Sequence, residues 1–432
     1  MRFIGLDVHK KVVAACILDA SGKVIRQERF GLTGETLAQW GQRHLGGDAQ
    51  VVLEATTHCW AIVEVLEPLC AQVVVSNPLR TKAIASAKVK CDRIDARVLA
   101  ELLRADYLPR VWQPDQRTRS DRRLATRRAA LSFDATRVKN RLHAILHQRL
   151  IVCPHPDLFG VAGRAWLRSL DLDPPGEQER DSLLRLLAAV ELEQEQMHQE
   201  VMKSGWQCEE VKLLMTLPGV DVTTAHGVWA AIGSIERFPS ADRVSAYLGL
   251  VPSTRQSAEH CYHGSITKQG ASHARWLLVQ AAQHVASHPG PLGHFFRKLA
   301  TKKGRNIAVV ATARKMAEIA WHLLRNNEPY RYAIPKVVEH KLSRLRVGAT
   351  ATRKKTGPPA AAPRSAQYGT GQRTKARKTL AQVCAAENIP QPQTTLRPAE
   401  AQMLADHSLS EWFAELNREG QRIARTPPRS SA

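Results

Sequence analysis

Four acids in the first hundred residues have the type and placement for chemistry. Asp7 follows the apolar run Phe3-Ile4-Gly5-Leu6, and Glu54 follows Val51-Val52-Leu53. Asp92 and Asp95 lie three apart where a helical pattern begins, so they share one face. Carboxylates at the ends of apolar strands are costly to bury unless something compensates. Ligation of a hard cation such as Mg²⁺ is one compensation. Two such ions about 3.5–4 Å apart activate an attacking oxygen and stabilise a leaving one in phosphoryl transfer. Each acid also has a plainer use. Asp7 suits a turn, Glu54 a cap, and Asp92 and Asp95 the positive end of a helix. Spacing alone leaves both uses open. His9, His58 and His263 show no metal-ligand spacing.

The elements that would position these acids are legible in outline. Phe3 to Val8, Val12 to Leu18 and Val24 to Phe30 read as strands, the last two joined by a turn at Ala20-Ser21-Gly22-Lys23. Leu37 to Leu45 and Ile62 to Cys70 read as helices. Gln50 to Glu54 and Gln72 to Ser76 read as buried strands, the second stopped by Asn77-Pro78. Three antiparallel strands followed by alternating strands and helices predict a mixed sheet covered by helices. From Arg93 onward the pattern is helical. An arginine-rich stretch, Arg117 to Arg149, includes Arg122, Arg123, Arg127 and Arg128. Leu183, Leu187, Val190, Gln194, Met197 and Val201 have heptad spacing. That spacing suits either a coiled coil between protomers or one amphipathic helix on its own domain. Helices are also expected from Leu217-Pro218-Gly219-Val220 to Ile232, over Ala246 to Leu250, Ser272 to Ser287 and Asn306 to Asn326, and near Ser410 to Arg418. The predicted class is α/β plus α: a mixed-sheet domain over 1–112, a helical arginine-rich and coiled-coil segment over 113–210, a helical domain over 211–332, and a basic, largely disordered tail over 333–432.

The charge points to a polyanion. The chain has 432 residues, with 62 Lys and Arg against 40 Asp and Glu, a net +22. That excess suits nucleic acid better than small metabolites. Lys336 to Lys378 alone carries twelve basic residues and one acid. No apolar run approaches the ~20 residues of a spanning helix, and no secretory signal is read at the start. Eight cysteines without a CxxC pair suit reduced thiols in a cytoplasmic protein.

The ordered set of motifs resembles the DEDD-type insertion-sequence transposases, bridge-RNA-guided DNA recombinases. It comprises Gly5-Leu6-Asp7, Leu53-Glu54-Ala55-Thr56, Val75-Ser76-Asn77-Pro78 and Lys90-Cys91-Asp92-Arg93-Ile94-Asp95-Ala96. Further along come Leu217-Pro218-Gly219-Val220 with Thr224-Ala225, which resembles a helix-hairpin-helix-like segment, and Gly249-Leu250-Val251-Pro252 with Gln256-Ser257. Ile266-Thr267-Lys268-Gln269-Gly270 and Arg275-Trp276-Leu277-Leu278 complete the set. Asp221 and Ala258 stand where the family has glycine.

The resemblance covers most of residues 1–330. It implies an RNase H-like (RuvC-like) first domain in which Asp7, Glu54, Asp92 and Asp95 hold Mg²⁺, with two ions the expected number. It implies Ser257 as the nucleophile of a phosphoserine intermediate. Lys268, Arg275, Arg122, Arg123, Arg127 and Arg128 are the candidates to hold phosphates. DNA, a guide RNA and further copies of the chain, as a dimer or a tetramer on DNA, are the implied partners. The acids and Ser257 lie ~160 residues apart, and the family joins them between protomers. A metal-dependent junction nuclease without serine chemistry and a non-catalytic nucleic-acid-binding protein are the rival readings.

Overall fold

The computed structural model describes residues 1–84, 91–257, 260–352, 378–393 and 395–418, with only the backbone of Arg255, Ser257 and His263. The chain divides into two compact units, Met1–Asp115 and Gln116–Ala432.

The first unit is a five-stranded mixed sheet in the order β3-β2-β1-β4-β5. β1 (Arg2–Val8), β2 (Val12–Leu18) and β3 (Val24–Gly31) form an antiparallel meander. β4 (Ala49–Glu54) and β5 (Gln72–Ser76) add in parallel to β1. α1 (Gly34–His44) starts at a Thr33–Thr36 capping box and, with α2 (Cys59–Leu66), covers one face. Ile4, Leu6, Val13, Ile17, Val51, Leu53, Val73 and Val75 point into that core. α3 (Pro78–Ile84) follows β5, and α4 (Asp92–Arg104) covers the opposite face over Phe3, Cys16, Val52 and Val74. Strand alternation separates the two sets.

Gly5 sets how closely α4 approaches. A Cβ there would lie 2.0 Å from the Ala96 carbonyl oxygen and 2.7 Å from the Ala100 nitrogen. Helix and strand touch backbone to backbone, through Gly5 on one side and two alanines on the other. Asp7 is two residues further along the strand, and Asp92 and Asp95 are in the first turn of the same helix.

The second unit is mostly helical. α5 (Gln116–Gln148) and α7 (Pro174–Trp206) are long and antiparallel, with α6 (Val161–Ser169) between them in sequence. Bonds pair Arg149 with Asp173, Ser132 with Gln194, and Asp121 with Ser204, so positions descend on one helix as they rise on the other. Leu183 and Leu187 of the heptad stripe are buried beside Val138, Leu142 and Ile145 of α5. The stripe is therefore covered at that end by α5 of the same chain.

α8 (Glu209–Leu214), α9 (Val222–Ile232), α10 (Ala241–Tyr247), α11 (Ser272–Gln283), α12 (Pro291–Lys303) and α13 (Arg305–Asn326) enclose one large core. β6 (Pro252–Ser257) and β7 (His260–Ile266) form an antiparallel ribbon where the sequence suggested no strand. The ribbon is polar, with no alternating apolar face to announce it. α10 also begins and ends earlier than the expected Ala246 to Leu250 helix, and Gly249 at φ 68° turns the chain after it.

The expectation of a largely disordered tail needs correction. α14 (Pro335–Thr350), α15 (Leu380–Ala386) and α16 (Pro398–Asp406) are helices, and α17 (Ser410–Leu416) lies where a helix was expected. Val338, Leu342, Leu345, Leu380, Val383, Leu404 and Phe413 share the core with residues from 201 onward. Basic composition masked the 3.6-residue apolar period of α14. Residues 353–377 lie outside the described residues. Among the described residues, no helix is long and apolar enough to cross a membrane.

Candidate metal centre and serine hairpin

Parallel pairing puts Leu6 beside Leu53. Asp7 and Glu54 therefore follow at the same level of adjacent strands, on the α4 face of the sheet. Asp7, Asp92 and His9 each offer a ligand atom within 4.8 Å of the others. His9 Nε2 lies 3.0 Å from Asp7 Oδ2 and 3.2 Å from Asp92 Oδ1. Arg29 approaches the second Asp92 oxygen at 3.6 Å. Asp95 acts on Asp7 through charge. Glu54, one strand over, stands outside the three-residue cluster.

The Asp7 carboxyl is raised above its ordinary pKa, first by burial, with Asp92 and Asp95 adding repulsion and His9 opposing it. Two buried hydroxyls flank Glu54 without a hydrogen-bond partner: Ser76 Oγ, on its paired residue, and Thr56 Oγ1, two residues on. A half-buried carboxylate beside like charges and unpartnered hydroxyls fits a hydrated divalent cation. The oxygen donors favour Mg²⁺, and an imidazole ligand also admits Mn²⁺.

His9 is the residue that metal-ligand spacing missed. Asp7 and His9 are two apart at a strand end, and period-two alternation puts such pairs on one face. That signal was present in the sequence.

Ser257 is the last residue of β6, opposite His260 in the ribbon. Ala258 lies outside the described residues. The base of the ribbon is built by two glycines and an arginine. Gly249 and Gly270 both have positive φ, 68° and 75°. A Cβ on Gly249 would lie 2.3 Å from the Gln269 oxygen, and one on Gly270 2.0 Å from the Tyr247 oxygen. The incoming and outgoing legs therefore cross in direct backbone contact, which only glycine permits. Arg275 Nη1 donates to the Leu248 carbonyl at 2.9 Å and the Gln269 carbonyl at 3.1 Å, stapling the two legs. The Gly-Leu-x-Pro and Lys-x-Gly motifs are thus two sides of one hairpin base.

A family model described as a transposase matches residues 4–151, and one described as the transposase IS116/IS110/IS902 family matches residues 211–297. The chain belongs to this insertion-sequence transposase family.

It is 34% identical over 135 residues to the transposase for insertion sequence element IS1111A of Coxiella burnetii, 30% of this chain but only 36% of that relative. A putative transposase, y4qE, of Sinorhizobium fredii is 28% identical over 288 residues, 65% of this chain and 70% of the relative. The pilin gene-inverting protein of Moraxella bovis is 24% identical over 340 residues, 76% of this chain and 97% of the relative.

Within this family member, the six candidate phosphate contacts have different surroundings. Arg122 donates to the Ala230 and Ala231 carbonyls at the end of α9, at 2.8 and 3.0 Å. Arg275 staples the hairpin. Arg123, Arg127 and Lys268 are exposed, Lys268 at a positive φ of 56°. Arg128 is half-buried. The Leu217-Pro218-Gly219-Val220 turn has its Leu217 and Val220 carbonyls bound by Lys341 Nζ of α14, at 2.8 and 2.9 Å. Asp221, where the family has glycine, caps α9 through the Thr224 nitrogen at 2.8 Å.

Proposed function

We propose that the chain is a transposase-recombinase that cleaves and rejoins DNA strands through a phosphoserine intermediate. The observation that carries the reading is the Gly5 contact. It brings the first turn of α4 over the end of β1, so that Asp92, Asp7 and His9 converge in a domain matched by a transposase family model. Asp7, Asp92, Asp95 and Glu54 are the residues to hold Mg²⁺, with His9 a further ligand. A bound cation would neutralise charge on the scissile phosphate.

The chain's own groups then divide the work. Ser257 Oγ attacks phosphorus, the P–O3′ bond breaks, and the strand leaves as a 3′-OH that takes up the serine proton. A 3′-OH from the partner duplex attacks the phosphoserine and returns a proton to Ser257. One phosphodiester is exchanged for another, so no external energy source is needed. Arg275 positions the hairpin, while Arg123, Arg127 and Lys268 contact backbone phosphates. A guide RNA paired to donor and target, and a dimer or tetramer that brings acids and serine together, complete the reading.

The test is strand exchange on paired element-end and target duplexes with the cognate noncoding RNA. Ser257→Ala abolishes both adduct and exchange under this reading. Mg²⁺-dependent cleavage that survives Ser257→Ala supports a junction nuclease instead.

A further inference from the structure

On the helical unit, an exposed aromatic pair stands near a half-buried cation. Phe133 of α5 and Trp276 of α11 are 58% and 45% exposed, with ring centroids 6.4 Å apart. His273, one turn earlier on α11, stacks on Trp276 at 6.1 Å with planes 16° apart. Arg128 of α5 acts on that imidazole. Burial pushes the His273 pKa down, and the Arg128 charge pushes it further. His198 of α7 is lowered by the same two causes, and its Nδ1 is buried without a hydrogen-bond partner. Arg128 Nε is likewise buried and unpartnered. Asp221 favours the charged guanidinium but does not overcome its desolvation.

Adjacent exposed aromatics mark an interaction surface, and a guanidinium with an unpartnered buried nitrogen is costly. One ligand class answers both: a flat π-face for the rings and an anion for the guanidinium. A protein partner would cover the rings, but this unit carries 47 Lys and Arg against 27 Asp and Glu, so charge favours a polyanion.

We propose that Trp276 and Phe133 form a stacking platform for an unpaired nucleobase, with Arg128 taking the adjoining phosphate and His273 and His198 supporting it. The platform deepens the recombinase reading. Strand exchange unpairs bases, and α11 is the helix that leaves the base of the Ser257 hairpin.

The test is fluorescence anisotropy of the full-length protein with labelled 20-nucleotide oligo(dT), 20-nucleotide oligo(rU) and a 20-base-pair duplex, across a salt series. Trp276→Leu is expected to weaken at least one single strand roughly tenfold, with less effect on duplex and no change in salt slope. Trp276→Phe is expected to retain most binding. Arg128→Gln is expected to lower the salt slope by about 1. The single strand that loses more identifies DNA or RNA as the source of the base. Should Trp276→Leu fail to fold, a 5-iodouracil-labelled strand on the wild type is expected to crosslink at Trp276 or Phe133. Crosslinks confined elsewhere would overturn the proposal. So would equal losses on single strand and duplex, or unchanged affinity with an altered oligomeric state. Failure of the recombinase reading shows separately, as absent strand exchange with this binding intact.

Discussion

The two units of the chain handle charge differently. Residues 1–115 carry 15 Lys and Arg against 13 Asp and Glu, a net +2, while residues 116–432 carry 47 against 27, a net +20. The first unit concentrates carboxylates at one end of a sheet, where burial and mutual repulsion raise Asp7. The second spreads cations over helices and spends several on its own backbone, Arg122, Arg275 and Lys341 among them. Net charge therefore distinguishes the basic unit but does not rank its residues. A basic side chain that bonds carbonyls is architecture, whatever its sign suggests.

That contrast can be broken most severely at Gly5. Gly5→Val forces α4 away from the sheet, since the added Cβ alone would sit 2.0 Å from a backbone oxygen. A loss of about 3 kcal/mol is expected from overpacking, read as a lower unfolding midpoint. Metal-dependent cleavage should disappear with it.

Asp7→Asn separates chemistry from stability in the same unit. Activity should fall more than a hundredfold, while the metal-free protein folds. The folded pKa of Asp7 lies above its unfolded value. Its contribution is therefore fully present below the unfolded value near 4 and is lost as pH rises through the folded value. The stability of wild type relative to Asp7→Asn, measured without metal, should fall from pH 4 to pH 7. A flat difference would remove the burial argument.

Arg275→Gln sharpens the claim about architecture. Two carbonyls at the hairpin base lose a charged donor, at a cost of about 1–3 kcal/mol. Strand exchange should drop while duplex affinity and its salt slope stay close to wild type. A reduced slope would return Arg275 to the phosphate contacts.

Lys341 gives an effect on stability alone, with a clear sign. Burial lowers its ammonium from 10.5 to about 8. Between those values the unfolded chain binds the extra proton, so stability rises with pH. Wild type relative to Lys341→Met should gain stability from pH 8 to pH 10. Denaturant titrations across that range check it.

Much of the first unit was legible because β1, β2, β4 and β5 are largely buried and two of its acids, Asp7 and Glu54, sit at strand ends. Val12 to Leu18 and Gln72 to Ser76 lie where the apolar runs put them. His9 is hidden from metal-ligand spacing because its partners come from one strand face, at Asp7, and from α4, at Asp92. The second unit was harder to read. The ribbon bearing Ser257 has no core face, its legs are fixed by backbone contact at Gly249 and Gly270, and α14 hides an apolar stripe under basic residues. Pattern reads burial well, but it does not read which carbonyl a side chain will bind.

On the proposed function, the acids of one unit and the serine of the other serve a single reaction. This is tested most directly by trapping protein on a nicked element-end duplex with Mg²⁺ and the guide RNA, then mapping the DNA-bearing peptide by mass spectrometry. A 5′-phosphoserine is expected at Ser257 in wild type and none in Asp7→Asn. An adduct at another residue, or undiminished Ser257 adduct in Asp7→Asn, would contradict it.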